Sequence, residues 1–156
     1  MAVKMTGEER VVQALDMGAA ILREEIIMQL AYLGEECVKM AREDHPGNWK
    51  DQTGNLRSSV GYAIFDYGQE VMQSAFQQVQ QGTEGTQKGK EYVKTLASKY
   101  AQTYALVVVA GMDYADFVEL KRDVLQGAEA RAKQVCDARI RRAVETAVKR
   151  INRLMQ

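Results

Sequence analysis

Val60-Gly61-Tyr62-Ala63-Ile64-Phe65-Asp66-Tyr67 is uncharged until Asp66 and puts Val60, Tyr62 and Ile64 on one parity, with Gly61, Ala63, Phe65 and Tyr67 on the other. That alternation of β-branched and aromatic side chains predicts a strand. Tyr67-Gly68 then makes a turn. Glu70 to Phe76 either pairs back as a second strand or forms a short helix, because Gln and Met are weak strand formers. Further along, Tyr104 to Ala110 is an uncharged β-branched run, which reads as a buried strand.

Helical stretches flank these strands. Thr6 and Glu9 have the spacing of a capping box, in which each side chain satisfies a free backbone N–H at a helix start. Leu15, Leu22, Ile26, Leu30, Leu33, Cys37 and Ala41 recur at steps of three, four or seven, the stripe of one long amphipathic helix. Pro46 and Gly47 break it, so the helix ends near Asp44. At the other end, Ala132, Cys136, Ile140, Ala143, Ala147, Ile151 and Leu154 predict a second long helix over Ala128 to Leu154, with Gly127 at its start.

Residues 77 to 90 are polar and punctuated by Gly82, Gly85 and Gly89, and read as a mobile loop. Glu91 to Ala101 has helical spacing. Asp113 to Leu120 is a helical turn or an extended link, and Asp123-Val124-Leu125 is long enough only for a short edge strand. This order predicts an α+β fold: a small antiparallel sheet of three to four strands, packed by two long helices, N- and C-terminal, and one short helix. No internal repeat or second-domain boundary is visible over residues 1–156, a length that suits one domain.

The composition excludes several classes of function. Twenty-one basic and 21 acidic residues cancel, which removes the whole-chain charge excess of a nucleic-acid binder. Cys37 and Cys136 match neither a zinc site nor a disulfide framework and read as buried thiols of a reduced cytoplasm. There is no leader pattern and no long apolar run, so neither secretion nor a membrane span is expected.

Catalysis needs convergent nucleophiles, acids and bases. The one histidine, His45, reads as a solvent-facing turn residue beside Pro46. Glu24, Glu25, Glu35 and Glu36 lack the Glu-x-x-His element of a di-iron bundle and read as a solvated face. The glycines at 82, 85 and 89 do not follow a strand into a Gly-Lys-Ser/Thr motif. No cofactor, no metal and no enzymatic activity is expected. Trp49 reads as a lid over the local core or as a binding anchor.

The strongest local bias lies in residues 128–156, where eight Lys or Arg face three acids, a net charge of +5. Arg139, Arg142, Arg150 and Arg153 would line a DNA-phosphate groove or pair with the acidic first helix or a partner subunit. No aromatics interleave with them to stack on bases.

Thr53-Gly54-Asn55-Leu56-Arg57-Ser58-Ser59-Val60 resembles the Thr-Gly-x-Leu-Arg-x-Ser-Ile/Val segment of small morphogenesis proteins of tailed bacteriophages, the head–tail joining or tail-completion (minor tail protein Z-like) family. After Val107-Val108-Val109, Tyr114-Ala115-Asp116-Phe117-Val118-Glu119 resembles the family's Tyr-Ala-x-Tyr/Phe-Val-Glu segment. The likeness extends loosely over residues 8 to 122. It departs at Leu120-Lys121-Arg122, where the family has a Gly-Thr pair, and in the long C-terminal helix. It implies a structural protein of the virion, found in the host cytoplasm during assembly. Such a protein forms a homo-oligomeric ring when assembled, with a monomer in solution as the alternative before assembly, contacts neighbouring neck or tail proteins, and meets nucleic acid only in the lumen. Thr53, Gly54, Leu56, Arg57, Tyr114, Ala115, Phe117 and Glu119 are then the candidate interface residues. In the plain structural reading, Thr53 caps a turn, Leu56 and Val60 enter the core and Arg57 pairs with Glu119. The alternative function is a DNA-binding accessory protein that uses the Arg-rich helix.

Overall fold

A computed structural model describes residues 6–43 and 50–156. The expected helix end at Asp44, and the readings of His45, Pro46, Gly47 and Trp49, fall outside the described residues. The elements are α1 (Gly7–Arg42), α2 (Asn55–Ser59), β1 (Val60–Asp66), β2 (Gln69–Gln73), α3 (Thr83–Lys94), a 3-10 turn (Ala97–Tyr100), β3 (Tyr104–Ala110), α4 (Ala115–Arg122) and α5 (Gln126–Leu154). The fold is α+β: a three-stranded antiparallel sheet in the order β2-β1-β3, with long helices at both ends of the chain.

The capping box at the start of α1 forms in both directions. The Glu9 N–H donates to Thr6 Oγ1 at 3.3 Å, and the Thr6 N–H donates to Glu9 Oε2 at 2.6 Å. By packing, the chain divides into two compact units, one of residues 1–29 with 137–156 and one of Leu30–Cys136. The composition shows no boundary because each unit takes part of both long helices, so no linker marks the division.

In the second unit the period of two along the strands sorts the side chains into two cores. Ala63, Phe65, Val107 and Val109 pack on one side with Phe76, Val93 and Leu96, where Phe65 stacks on Tyr100 at 5.8 Å. Leu106 and Val108 pack on the other side against Leu33 and Cys37 of α1 and Ala128, Ala132 and Val135 of α5. β1 is buried along almost its whole length because both of its edges are paired and both of its faces are covered.

The Tyr67-Gly68 turn is present. Both residues have positive φ, 48° and 86°, the two-residue hairpin geometry whose twist matches the flanking strands. The second strand is real but shorter than expected, Gln69–Gln73.

Two expectations need correction. Residues 77 to 90 are not a loop throughout, since α3 begins at Thr83 and takes in Gly85 and Gly89. The three glycines are spaced by three and four, which puts them on one helix face. A Cβ at Gly85 would lie 1.9 Å from the Asn55 carbonyl oxygen, and one at Gly89 would lie 2.5 Å from the Phe76 ring. They are bare because the helix backbone packs directly on α2 and the core. Asp123-Val124-Leu125 is no edge strand either; it connects α4 to α5, and a carboxylate takes up the N–H groups of Val124 and Leu125. Asp113 to Leu120 resolves to the helical choice, α4.

Cys37 is fully enclosed and its thiol reaches the Ala128 carbonyl oxygen at 3.6 Å. Burial, reinforced by Glu36, pushes that thiol from 9 up to about 11. A raised thiol pKa favours folding fully below about pH 9, and that contribution is lost as pH rises through 11, because the unfolded chain ionises first. At pH 8 a disulfide reagent should therefore label the half-buried Cys136 in the folded protein and reach Cys37 only after denaturation. Rapid labelling of both thiols in the native state would contradict this.

Candidate functional site

The segment leading into α2 is organised by Asp51. Its two carboxylate oxygens accept the Gly54 N–H at 3.0 Å and the Arg57 N–H at 2.8 Å, which satisfies helix-start donors that the five-residue helix leaves open. Thr53 Oγ1 accepts the Asn55 N–H at 3.3 Å, so Thr53 does cap the turn. Gly54 has φ of 80° and would drive a Cβ to 1.9 Å from the Val79 carbonyl oxygen, so only glycine fits. Ser58 holds the same strand of chain, its Oγ accepting the Val79 N–H at 2.7 Å. Asn55 Oδ1 accepts the Gly85 N–H at 3.2 Å in the first turn of α3. Leu56 and Val60 enter the core at 2% and 0% exposure.

The second segment begins as β3 leaves the sheet. Ala115 is buried at the start of α4, while Tyr114 and Phe117 stand 42% and 60% exposed. Glu119 is committed to α5. Its Oε2 accepts the N–H groups of Val124 and Leu125 at 2.5 and 2.8 Å, and its Oε1 accepts that of Gln126 at 3.0 Å. Asp123 adds a bond from the Gly127 N–H at 3.0 Å. Two carboxylates thus sit where the helix dipole favours negative charge.

The two segments, far apart in sequence, meet in the lining of one groove of about 590 Å³. Asp51, Thr53 and Leu56 of the first segment and Tyr114, Phe117 and Val118 of the second line it, together with Lys50, Lys121 and Arg122. The Lys121 ammonium lies 4.2 Å from the centre of the Phe117 ring, a cation–π contact. Burial, with the charges of Asp51 and Glu84, holds the Tyr114 hydroxyl above its ordinary pKa. Lys88 of α3 pairs with Asp113 and with Glu84, tying the β3–α4 connection to α3.

The candidate residues therefore divide by role. Gly54, Ala115 and Glu119 build the scaffold, Leu56 both fills the core and lines the groove, and Thr53, Tyr114 and Phe117 face it. Arg57 is half-buried in α2 and lies close enough to Arg42 to lower the latter's pKa, after the larger effect of burial. Of the other lining residues, Asp51 and Lys50 were passed over by sequence reasoning, and Lys121 and Arg122 entered only as the point where the resemblance ends. An Asp three residues before a glycine that opens a helix is a capping signal, and it would have found the first of these.

Of the four candidate arginines of α5, one has its partners on α1. Arg150 reaches Glu25 at 2.7 Å and Glu24 at 3.0 Å, and these hydrogen bonds raise its pKa. It takes the pairing with the acidic first helix that the charge pattern allowed. Arg139 is half-buried, and Arg142 and Arg153 are exposed. Glu36 is likewise paired, with Arg131 at 2.7 Å. Among the described residues no cluster of His, Cys, Asp or Glu is placed to hold a metal, and no helix is long and apolar enough to cross a membrane.

No family model, curated protein or solved structure matches this chain.

Proposed function

We propose that this chain is a structural protein of tailed-bacteriophage assembly, acting at head–tail joining or tail completion through protein–protein contacts in a ring. The observation that carries the reading is the meeting of the two family-like segments in one groove, with Tyr114 and Phe117 both substantially exposed there. Exposed aromatics in a surface groove are frequent anchors of protein interfaces. Three basic side chains in the lining fit a partner that brings carboxylates along with its apolar anchor. No covalent chemistry is required.

The test is light scattering and titration of the purified chain with the portal, adaptor and tail-tube proteins of the same gene neighbourhood. A complex with one of them is expected, weakened at least tenfold by Phe117→Ser or Tyr114→Ser, both at exposed positions where folding tolerates the change. A chain that ignores every such partner, and instead binds duplex DNA with a steep salt dependence, would overturn the proposal in favour of the Arg-rich helix.

A further inference from the structure

In the first unit α1 and α5 bury Ile21, Ala143 and Ala147. Beside these lies an open groove of about 570 Å³ with apolar walls, Val11, Leu15 and Leu22 from α1, Val144 and Val148 from α5, and Met155 just beyond its end. Val11, Leu15, Val148 and Met155 are 60%, 68%, 49% and 70% exposed. Positions 11, 15, 18 and 22 step by four, three and four, and so do 144, 148, 151 and 155. That is the seam of a helix that packs against further helices, and here both seams open onto the same groove.

We propose that the occupant is a second copy of this chain, whose own α1–α5 pair docks on the groove to complete a four-helix bundle. Charge selects that occupant. Residues 6–29 carry five acids (Glu8, Glu9, Asp16, Glu24, Glu25) against Arg10 and Arg23, while residues 137–156 carry six bases against Asp137 and Glu145. Within one chain these segments already attract, as Arg150 does with Glu24 and Glu25. A two-fold axis along the bundle sets each acidic α1 beside the basic α5 of the other copy, so every neighbouring pair of helices is complementary. An axis across the bundle would stack α1 on α1 and repel. The symmetry is closed and uses the same patch on both copies. The face is about 35 Å long and two helices wide, on the order of 700 Å² per copy, close to the ~800 Å² of a standard interface.

This pairing does not depend on the groove at Tyr114 and Phe117, and its test is separate. Sedimentation equilibrium of the full chain over a concentration series should show mass rising from one chain to two. If a larger ring forms, its mass should fall when the seam is broken. Leu15→Glu and Val148→Glu should each weaken self-association at least tenfold with an unchanged circular dichroism spectrum, while Phe117→Ser leaves it untouched. Spin labels at Asn152→Cys, in a Cys136→Ser background, should lie within about 25 Å of each other, since the axis along the bundle brings both to the same end. Single-chain mass at every concentration, charged variants that associate like the wild type, or labels at opposite ends of the bundle would each overturn the proposal.

Discussion

Gly85→Ala is expected to destabilise the protein by about 3 kcal/mol, although by helix propensity alone it should stabilise α3 by up to about 1 kcal/mol. The new methyl would lie 1.9 Å from the carbonyl oxygen of Asn55 and 2.7 Å from its carbonyl carbon. Both are backbone atoms, and α2 cannot retreat, because Asp51, Ser58 and the core side chain Leu56 hold it. The helix must therefore shift off α2, which also breaks the bond from the Gly85 N–H to Asn55 Oδ1. Urea unfolding decides the point: a midpoint lowered with unchanged slope is expected, and a midpoint equal to or above the wild type would show that α3 does not pack as described. Gly7→Ala is the control. That glycine has nothing within 4 Å of its Cβ direction, so only a small change should follow.

The second large effect is expected at Glu119→Ala. One carboxylate accepts three successive backbone N–H groups, those of Val124, Leu125 and Gln126, at the point where α5 begins. Hydrogen bonds to a charged group contribute about 1.5–3 kcal/mol each when isolated, but shared acceptors are not additive and this site is partly solvated, so a loss of about 2–3 kcal/mol is expected. Glu119→Gln keeps the shape and one carbonyl oxygen and should restore roughly half of that. Amide exchange gives the sharper readout, with protection lost first at residues 124–126. Unchanged protection there would remove Glu119 from the capping role.

These two residues also show how far the sequence could be read. Glu119 belongs to a segment that the resemblance marked as an interface, and no spacing rule connects a glutamate to N–H groups five to seven residues later across a helix end. Its role depends on the positive φ of Asp123, 34°, which turns the chain back. Gly85 was visible only as a residue that favours loops. Helical spacing of Gly82, Gly85 and Gly89 carries little weight by itself, because what packs on that glycine face is backbone of Gly54, Asn55 and Ser59 and the Phe76 ring, none of them adjacent in sequence.

The candidate site was legible as two segments but not as a groove. Thr53, Tyr114 and Phe117 share it with Lys50, Lys121 and Arg122, three residues that carry no motif and enter through geometry. The charge pattern favoured pairing of Arg150 with the acidic first helix or a partner subunit over DNA, but only the approach of α5 to α1 singled out Glu24 and Glu25 as the carboxylates within reach.

What the sequence by itself determined is local and periodic. The Thr6–Glu9 cap, the stripes of α1 and α5, the alternation along β1 and the Tyr67-Gly68 turn all follow from backbone geometry over a few residues, so an α+β fold could be read directly. What only the tertiary structure decided is where backbone meets backbone: the helical state of residues 83–94, the commitment of Glu119 to α5, the division into two units and the convergence of the two segments. Such contacts join residues far apart in the chain, and a close approach is recorded in sequence only as a missing side chain, which a glycine in a loop records equally well.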